Sequence, residues 1–163
     1  MAMLFRAVGI CIVAIILVCG RPPVALAQSP VAPTAPTTVS QCDQLIQVAN
    51  RATDAAQQLS QNSSSNSIQD LLDTANIADR AIGEMQALSL TDSELLKFRD
   101  QFVTMYEGVS RAIRDLVEAA NQQDQEAGEQ AFTALQTATA AEETLVPAIN
   151  RYCERTAQIV TPR

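Results

Sequence analysis

The sequence predicts an all-α protein, an up-down-up-down four-helix bundle closed at one end by a Cys42-Cys153 disulfide. Three observations lead there. Apolar residues recur at spacings of three and four in four separate segments, the period of a helix face. The breaks between these segments are short and polar, which places consecutive helices antiparallel. The two cysteines that remain once the N-terminal segment is set aside, Cys42 and Cys153, stand at the two ends of the patterned region. In a four-helix bundle the start of the first helix and the end of the fourth lie at the same end, where one disulfide can join them. In a three-helix bundle they would lie at opposite ends, so helix count and cysteine pairing support each other.

Residues 1–27 read as a signal peptide. Arg6 and the amino terminus supply a positive start, Ala7 to Gly20 is uncharged and mostly apolar, and Ala25-Leu26-Ala27 offers small residues for cleavage before Gln28. A retained membrane anchor is the competing reading. Against it, Arg21, Pro22 and Pro23 end the apolar run at about 14 residues, short of the roughly 20 that span a bilayer. Val18 before Cys19 and Ile10 before Cys11 do not fit a lipid-modified cysteine. Export to an oxidising compartment, periplasmic or extracellular, favours pairing of an even number of cysteines. The loop they would close is long, and the chain-entropy model assigns such a loop about 4 to 5 kcal/mol.

Residues 28–39, QSPVAPTAPTTV, form a Pro/Thr-rich flexible linker, a leader before the bundle or a tether if the signal is retained. The bundle domain covers 40–155. Its first helix is predicted over about 41–60, with Cys42, Leu45, Ile46, Ala49, Ala52, Ala56 and Leu59 on one face, Ser40 as cap and Asp43 completing a box-like start. The polar run at 61–67 is a loop, and Asn62-Ser63-Ser64 within it matches the N-glycosylation acceptor. A second helix over about 68–88 repeats Ile68, Leu71, Ala75, Ala78, Ile82 and Met85 as a narrow seam, with Arg80 and Glu84 paired on the solvent side.

The third helix has the clearest start signal. Thr91 and Glu94 are spaced as a capping box, and Leu90 and Leu95 as its hydrophobic staple. Its face, Leu95, Phe98, Phe102, Met105, Tyr106, Val109, Ile113, Leu116, Val117 and Ala120, is the widest apolar one in the chain. A turn at 121–124, NQQD, leads into the last helix, which uses Phe132, Leu135, Ala138, Leu145, Ile149, Tyr152 and Cys153. Pro147 lies inside it and predicts a kink or break there. Residues 156–163 are a tail expected to fray.

Chemistry-bearing signals are few. The chain has no histidine, which excludes Ser-His-Asp and Cys-His sites and any haem or zinc site with a histidine ligand. The pairs Glu126/Glu129, Glu142/Glu143 and Asp70/Asp73 belong to solvated helix faces; no cofactor is expected. Cleavage would remove Arg6 and Arg21, leaving 9 basic against 18 acidic side chains, a net charge of −9. That balance argues against nucleic acid, whose binding rests on Lys and Arg at phosphates, and against an anionic membrane surface. One candidate site remains. Tyr106, Arg111 and Arg114, beside the small Gly108, Ser110 and Ala112, could line an anion-binding notch or simply accompany a close helix contact.

Several short stretches together carry a resemblance: Cys42-Asp-Gln-Leu-Ile46, Leu88-x-Leu-Thr-Asp92, Phe102-x-x-Met-Tyr106 and Asn150-Arg-Tyr-Cys153, behind a signal peptide and a Pro/Thr leader. In these the chain resembles uncharacterised secreted helical proteins of cyanobacterial type. The resemblance implies an exported helical domain with a terminal disulfide and carries no catalytic residues. The expected function is that of a non-enzymatic interaction or structural module of the cell envelope or periplasm, with an unidentified protein as partner. The alternative is a carrier of a small apolar or anionic ligand within the bundle.

Overall fold

A computed structural model describes residues 37–62 and 68–160. The signal peptide, linker residues 28–36, most of the 61–67 loop with Ser63 and Ser64, and residues 161–163 lie outside the described residues.

Every regular element among the described residues is an α-helix: α1 Thr38–Asn62, α2 Ile68–Gln86, α3 Ser93–Gln122, α4 Gln125–Ala140 and α5 Glu142–Val160. The last two are lengths of one arm separated by Ala141, whose backbone stays right-handed helical (φ −61°, ψ −30°). The architecture is the predicted four-helix bundle. α1 packs on α2, α2 on α3 and α3 on α4, while α5 returns to both α1 and α3. Cys42 and Cys153 form the disulfide that joins α1 to α5, with Cα atoms 5.8 Å apart.

Local details correct the sequence-based expectations. α1 begins at Thr38, not near 41, because Thr37 takes the capping position: its hydroxyl accepts from Ser40 N–H (3.2 Å) and its carbonyl from Gln41 N–H (3.0 Å). Thr38 and Val39 of the expected linker are therefore helical. At α3 the cap is Asp92, one residue past the predicted Thr91, and its Oδ1 accepts from Glu94 N–H (3.0 Å) and Leu95 N–H (3.1 Å). Both residues suit a cap, and the carboxylate also favours the positive helix terminus. Gln123, at φ 56°, and Asp124 make the turn into α4, and Asp124 Oδ1 accepts from Ala127 N–H at 3.0 Å. α5 continues past Thr156 to Val160 instead of fraying there.

The break in the last arm lies upstream of Pro147, which sits inside α5. Ala141 C=O accepts from Thr144 N–H (3.3 Å) and Leu145 N–H (3.1 Å), which restarts the helix at Glu142. Pro147 has no N–H to give the Glu143 carbonyl and crowds it, so α5 lacks that rung of its ladder shortly after the restart.

Leu45, Met85, Leu95 and Ile149 are the fully buried apolar centre, and Cys42, Leu90 and Phe102 extend it around the disulfide. At the other end α1 and α4 do not pack on each other. There Ile68 (46 % exposed), Leu71 (36 %) and Phe132 (53 %), all expected in the core, face outward. Small residues bring α3 and α4 close: a Cβ added to Gly108 would stand 3.0 Å from the Ala138 Cβ.

Candidate functional site

Two concavities follow from the course of the last arm. The larger is a groove of about 1140 Å³ between α3 and the α4–α5 arm. α4 packs along α3, but past Ala141 α5 divides its contacts between α3 and α1, to which the disulfide holds it. The groove opens along this divergence. Phe98, Met105 and Leu145 give it apolar surface, and Thr133, Thr137 and Ala141 are among the small side chains of its α4–α5 wall. Most of these residues are far less bulky than ordinary helix-face residues. The Thr-Ala-rich run 133–141 is the only trace of the groove in the sequence, and periodicity does not single it out.

The smaller concavity, about 350 Å³, lies inside the bundle where α1 and α4 stand apart. Ala52, Ala78 and Met105 are its buried apolar residues, and Thr53, Ser60, Thr139 and Glu142 are exposed at its walls. Tyr106 also lines it. Burial first, and the Glu142 carboxylate second, push the Tyr106 hydroxyl up to about 12.

The three residues expected to form an anion notch are placed apart. Tyr106 belongs to the inner cleft, whose walls include neither arginine. Arg114 reaches across to α2, donating from Nη2 to Asp79 Oδ2 (2.5 Å) and Asn76 Oδ1 (3.1 Å). Arg111 is exposed. Ser110, nearly fully buried, donates to Asp79 Oδ1 at 2.5 Å. That bond is the main reason the Asp79 carboxyl lies below its ordinary value; partial burial opposes the shift and Arg114 adds to it. Arg114 thus already has its counter-ion, and the trio reads as an α2–α3 clasp. Glu84 likewise pairs with Arg51 of α1 at 2.6 Å instead of with Arg80. An Arg preceding a Glu by one turn is the weaker orientation of such a pair.

The most connected polar cluster was not foreseen from the sequence. It sits at the disulfide end around Gln41, only 2 % exposed. Gln41 Oε1 accepts from Thr91 N–H (2.6 Å) and Asp92 N–H (3.1 Å), and its Nε2 donates to Thr91 Oγ1 (3.1 Å). Tyr152 Oη donates to the Asp92 carboxylate at 2.9 Å, and Thr38 Oγ1 does so at 3.3 Å. Burial would raise the Asp92 carboxyl, but the hydrogen bonds from Leu95, Tyr152, Glu94 and Thr38 outweigh it and hold it below the usual value. Tyr152, desolvated and bonded to that carboxylate, is pushed up to about 12. The cluster ties α1, α3 and α5 together. Gln41, Leu45, Val48 and Ala52 follow the spacings four, three and four, so its inward position was available from helical period had polar residues been counted.

Among the described residues, no three His, Cys, Asp or Glu side chains gather where they could hold a metal ion, and no helix is long and apolar enough to cross a membrane. Compared with protein-family models, curated proteins and solved structures, the chain matches none.

Proposed function

We propose that the chain is an exported, non-enzymatic binding module of the envelope or periplasm, of the secreted helical type its sequence resembles, and that it engages a partner protein along the α3/α4–α5 groove. The observation that carries this reading is the groove itself, about 1140 Å³ in volume and walled by Gly, Ala and Thr over an apolar floor. Side chains this small let a third helix approach closely. The α4–α5 wall, residues 130–148, is about 27 Å long at 1.5 Å per residue, the length of a five-turn helix. An amphipathic partner helix laid in the groove, its apolar residues at one-turn intervals, is the occupant that fits. The acidic surface favours basic residues on that helix's outer face. The disulfide supports the exported setting, since such bonds persist in oxidising compartments.

The test compares partner recovery from exporting cells by the native protein, by Thr137→Arg in the groove and by Glu118→Arg on the exposed face of α3. Loss of the same protein partner with Thr137→Arg alone is expected; recovery unchanged by Thr137→Arg would overturn the groove reading. The apolar half of the carrier alternative is favoured by a separate observation, the inner cleft.

A further inference from the structure

The inner cleft has an unusual polar inventory. Four hydroxyls stand on its walls besides Tyr106, and each donates its proton to its own helix. Thr53 Oγ1 donates to Ala49 C=O (3.2 Å), Thr74 Oγ1 to Asp70 C=O (2.8 Å), Ser60 Oγ to Gln57 C=O (2.8 Å) and Thr139 Oγ1 to Leu135 C=O (3.0 Å). A hydroxyl committed in this way has no proton left for a guest, and a threonine's methyl remains as apolar surface. Tyr106 differs. Its hydroxyl makes no hydrogen bond among the described residues and is not sealed from solvent, although most of its ring is covered. The same cleft holds Glu142, whose negative charge the Tyr106 hydroxyl senses.

We infer that the inner cleft is a binding site for a small, neutral, mostly apolar molecule with one hydrogen-bond-accepting end, which the Tyr106 hydroxyl orients. The volume, about 350 Å³, is at the small end of ligand cavities. Ala52, Ala78 and Met105 offer a buried apolar floor, and Met105 adapts to irregular shapes. Tyr106 is the one hydroxyl on the walls that keeps its proton, and with the exposed Gln57 amide at the rim the donor set is small, which suits a molecule with a single carbonyl or hydroxyl oxygen. Glu142 disfavours a carboxylate at that end, so a fatty alcohol is preferred to the fatty acid of equal length. The site shares Met105 with the groove but has its other walls to itself, and neither reading depends on the other.

The experiment titrates the secreted protein, disulfide intact, with decanol and with decanoate, following the Ala78 methyl resonance, which belongs to the cleft and not to the groove, and the calorimetric Kd. Decanol is expected to shift the Ala78 resonance and to bind at least tenfold more tightly than decanoate. Tyr106→Phe keeps the ring and removes a hydroxyl without a protein partner, so the fold stays intact while decanol weakens about 3- to 10-fold, the share of one neutral hydrogen bond. Ala56→Leu fills the cleft from α1 and should abolish the Ala78 shift. Equal binding of decanoate, or a decanol Kd unchanged by Tyr106→Phe, would overturn the assignment. So would decanol shifts at Thr137 in place of Ala78, which would move the ligand to the groove.

Discussion

The two ends of the bundle are built on opposite terms. At the disulfide end four helices meet in a core of fully buried side chains, and Gln41, Asp92 and Tyr152 are linked by hydrogen bonds above it. At the other end the same apolar period continues through Ile68, Leu71 and Phe132, but α1 and α4 stand apart and these side chains face solvent. Covalent closure acts at the first end alone. The difference teaches that periodic apolar residues become a core only where neighbouring helices converge, and that here convergence is enforced where the chain crosses back on itself.

The comparison can be broken most severely at the disulfide. Cys42→Ser with Cys153→Ser should cost about 4 to 5 kcal/mol, measured by denaturant unfolding. In native-state hydrogen exchange, the first turns of α1 and the end of α5 should lose protection before α2 and α3 do. Next in size is Leu95→Ala, which opens a cavity in the closed end and should cost about 3 kcal/mol by the same unfolding measurement.

Asp92→Ala removes a helix cap and leaves the Tyr152 and Thr38 hydroxyls short of a partner, for about 2 kcal/mol. This effect depends on pH. The Asp92 carboxyl lies below its unfolded value of 3.8 in the folded state, so its stabilisation is complete above that value and disappears as pH falls through the folded one. The stability gap between the native chain and Asp92→Ala should therefore narrow on acidification below pH 3.8, and a gap that widened would contradict the assignment. The smallest effect belongs to the open end: Phe132→Ala should change stability by less than about 1 kcal/mol, despite removing a larger side chain than Leu95→Ala does. A cost near that of Leu95→Ala would mean that the two ends are equally closed in solution.

The helices and the disulfide were legible because they depend on local period and on covalent chemistry, which a chain carries in plain view. The α3 cap was legible to within a residue, since Thr91 and Asp92 are adjacent oxygen-bearing residues and the tertiary partners of Thr91 help to decide between them, whereas the α1 cap lies at Thr37 and not at the expected Ser40. Helical period identified the face of α2 that bears Ile68 and Leu71, but whether another helix covers that face is a property of four chain segments at once. Arg114 looked like a free cation because its counter-ion, Asp79, lies on a different helix. The groove left almost no trace, being made by what is missing from Ala, Thr and Gly. Tyr106 was singled out from the sequence, though with the wrong companions: the structure sets it beside Glu142 and Met105 in the cleft.

Among the described glycines, Gly108 has the least room for a side chain. Its hydrogen faces Ala138, and one added methyl would leave 3.0 Å between two carbons that need more. Ala138 also belongs to the groove wall. The spacing of α3 and α4 thus answers to a single atom, and Gly108→Ala would act as a shim, pressing the wall outward by a few tenths of an ångström. Groove width becomes a quantity that can be dialled one carbon at a time, without touching the floor on which a partner would rest.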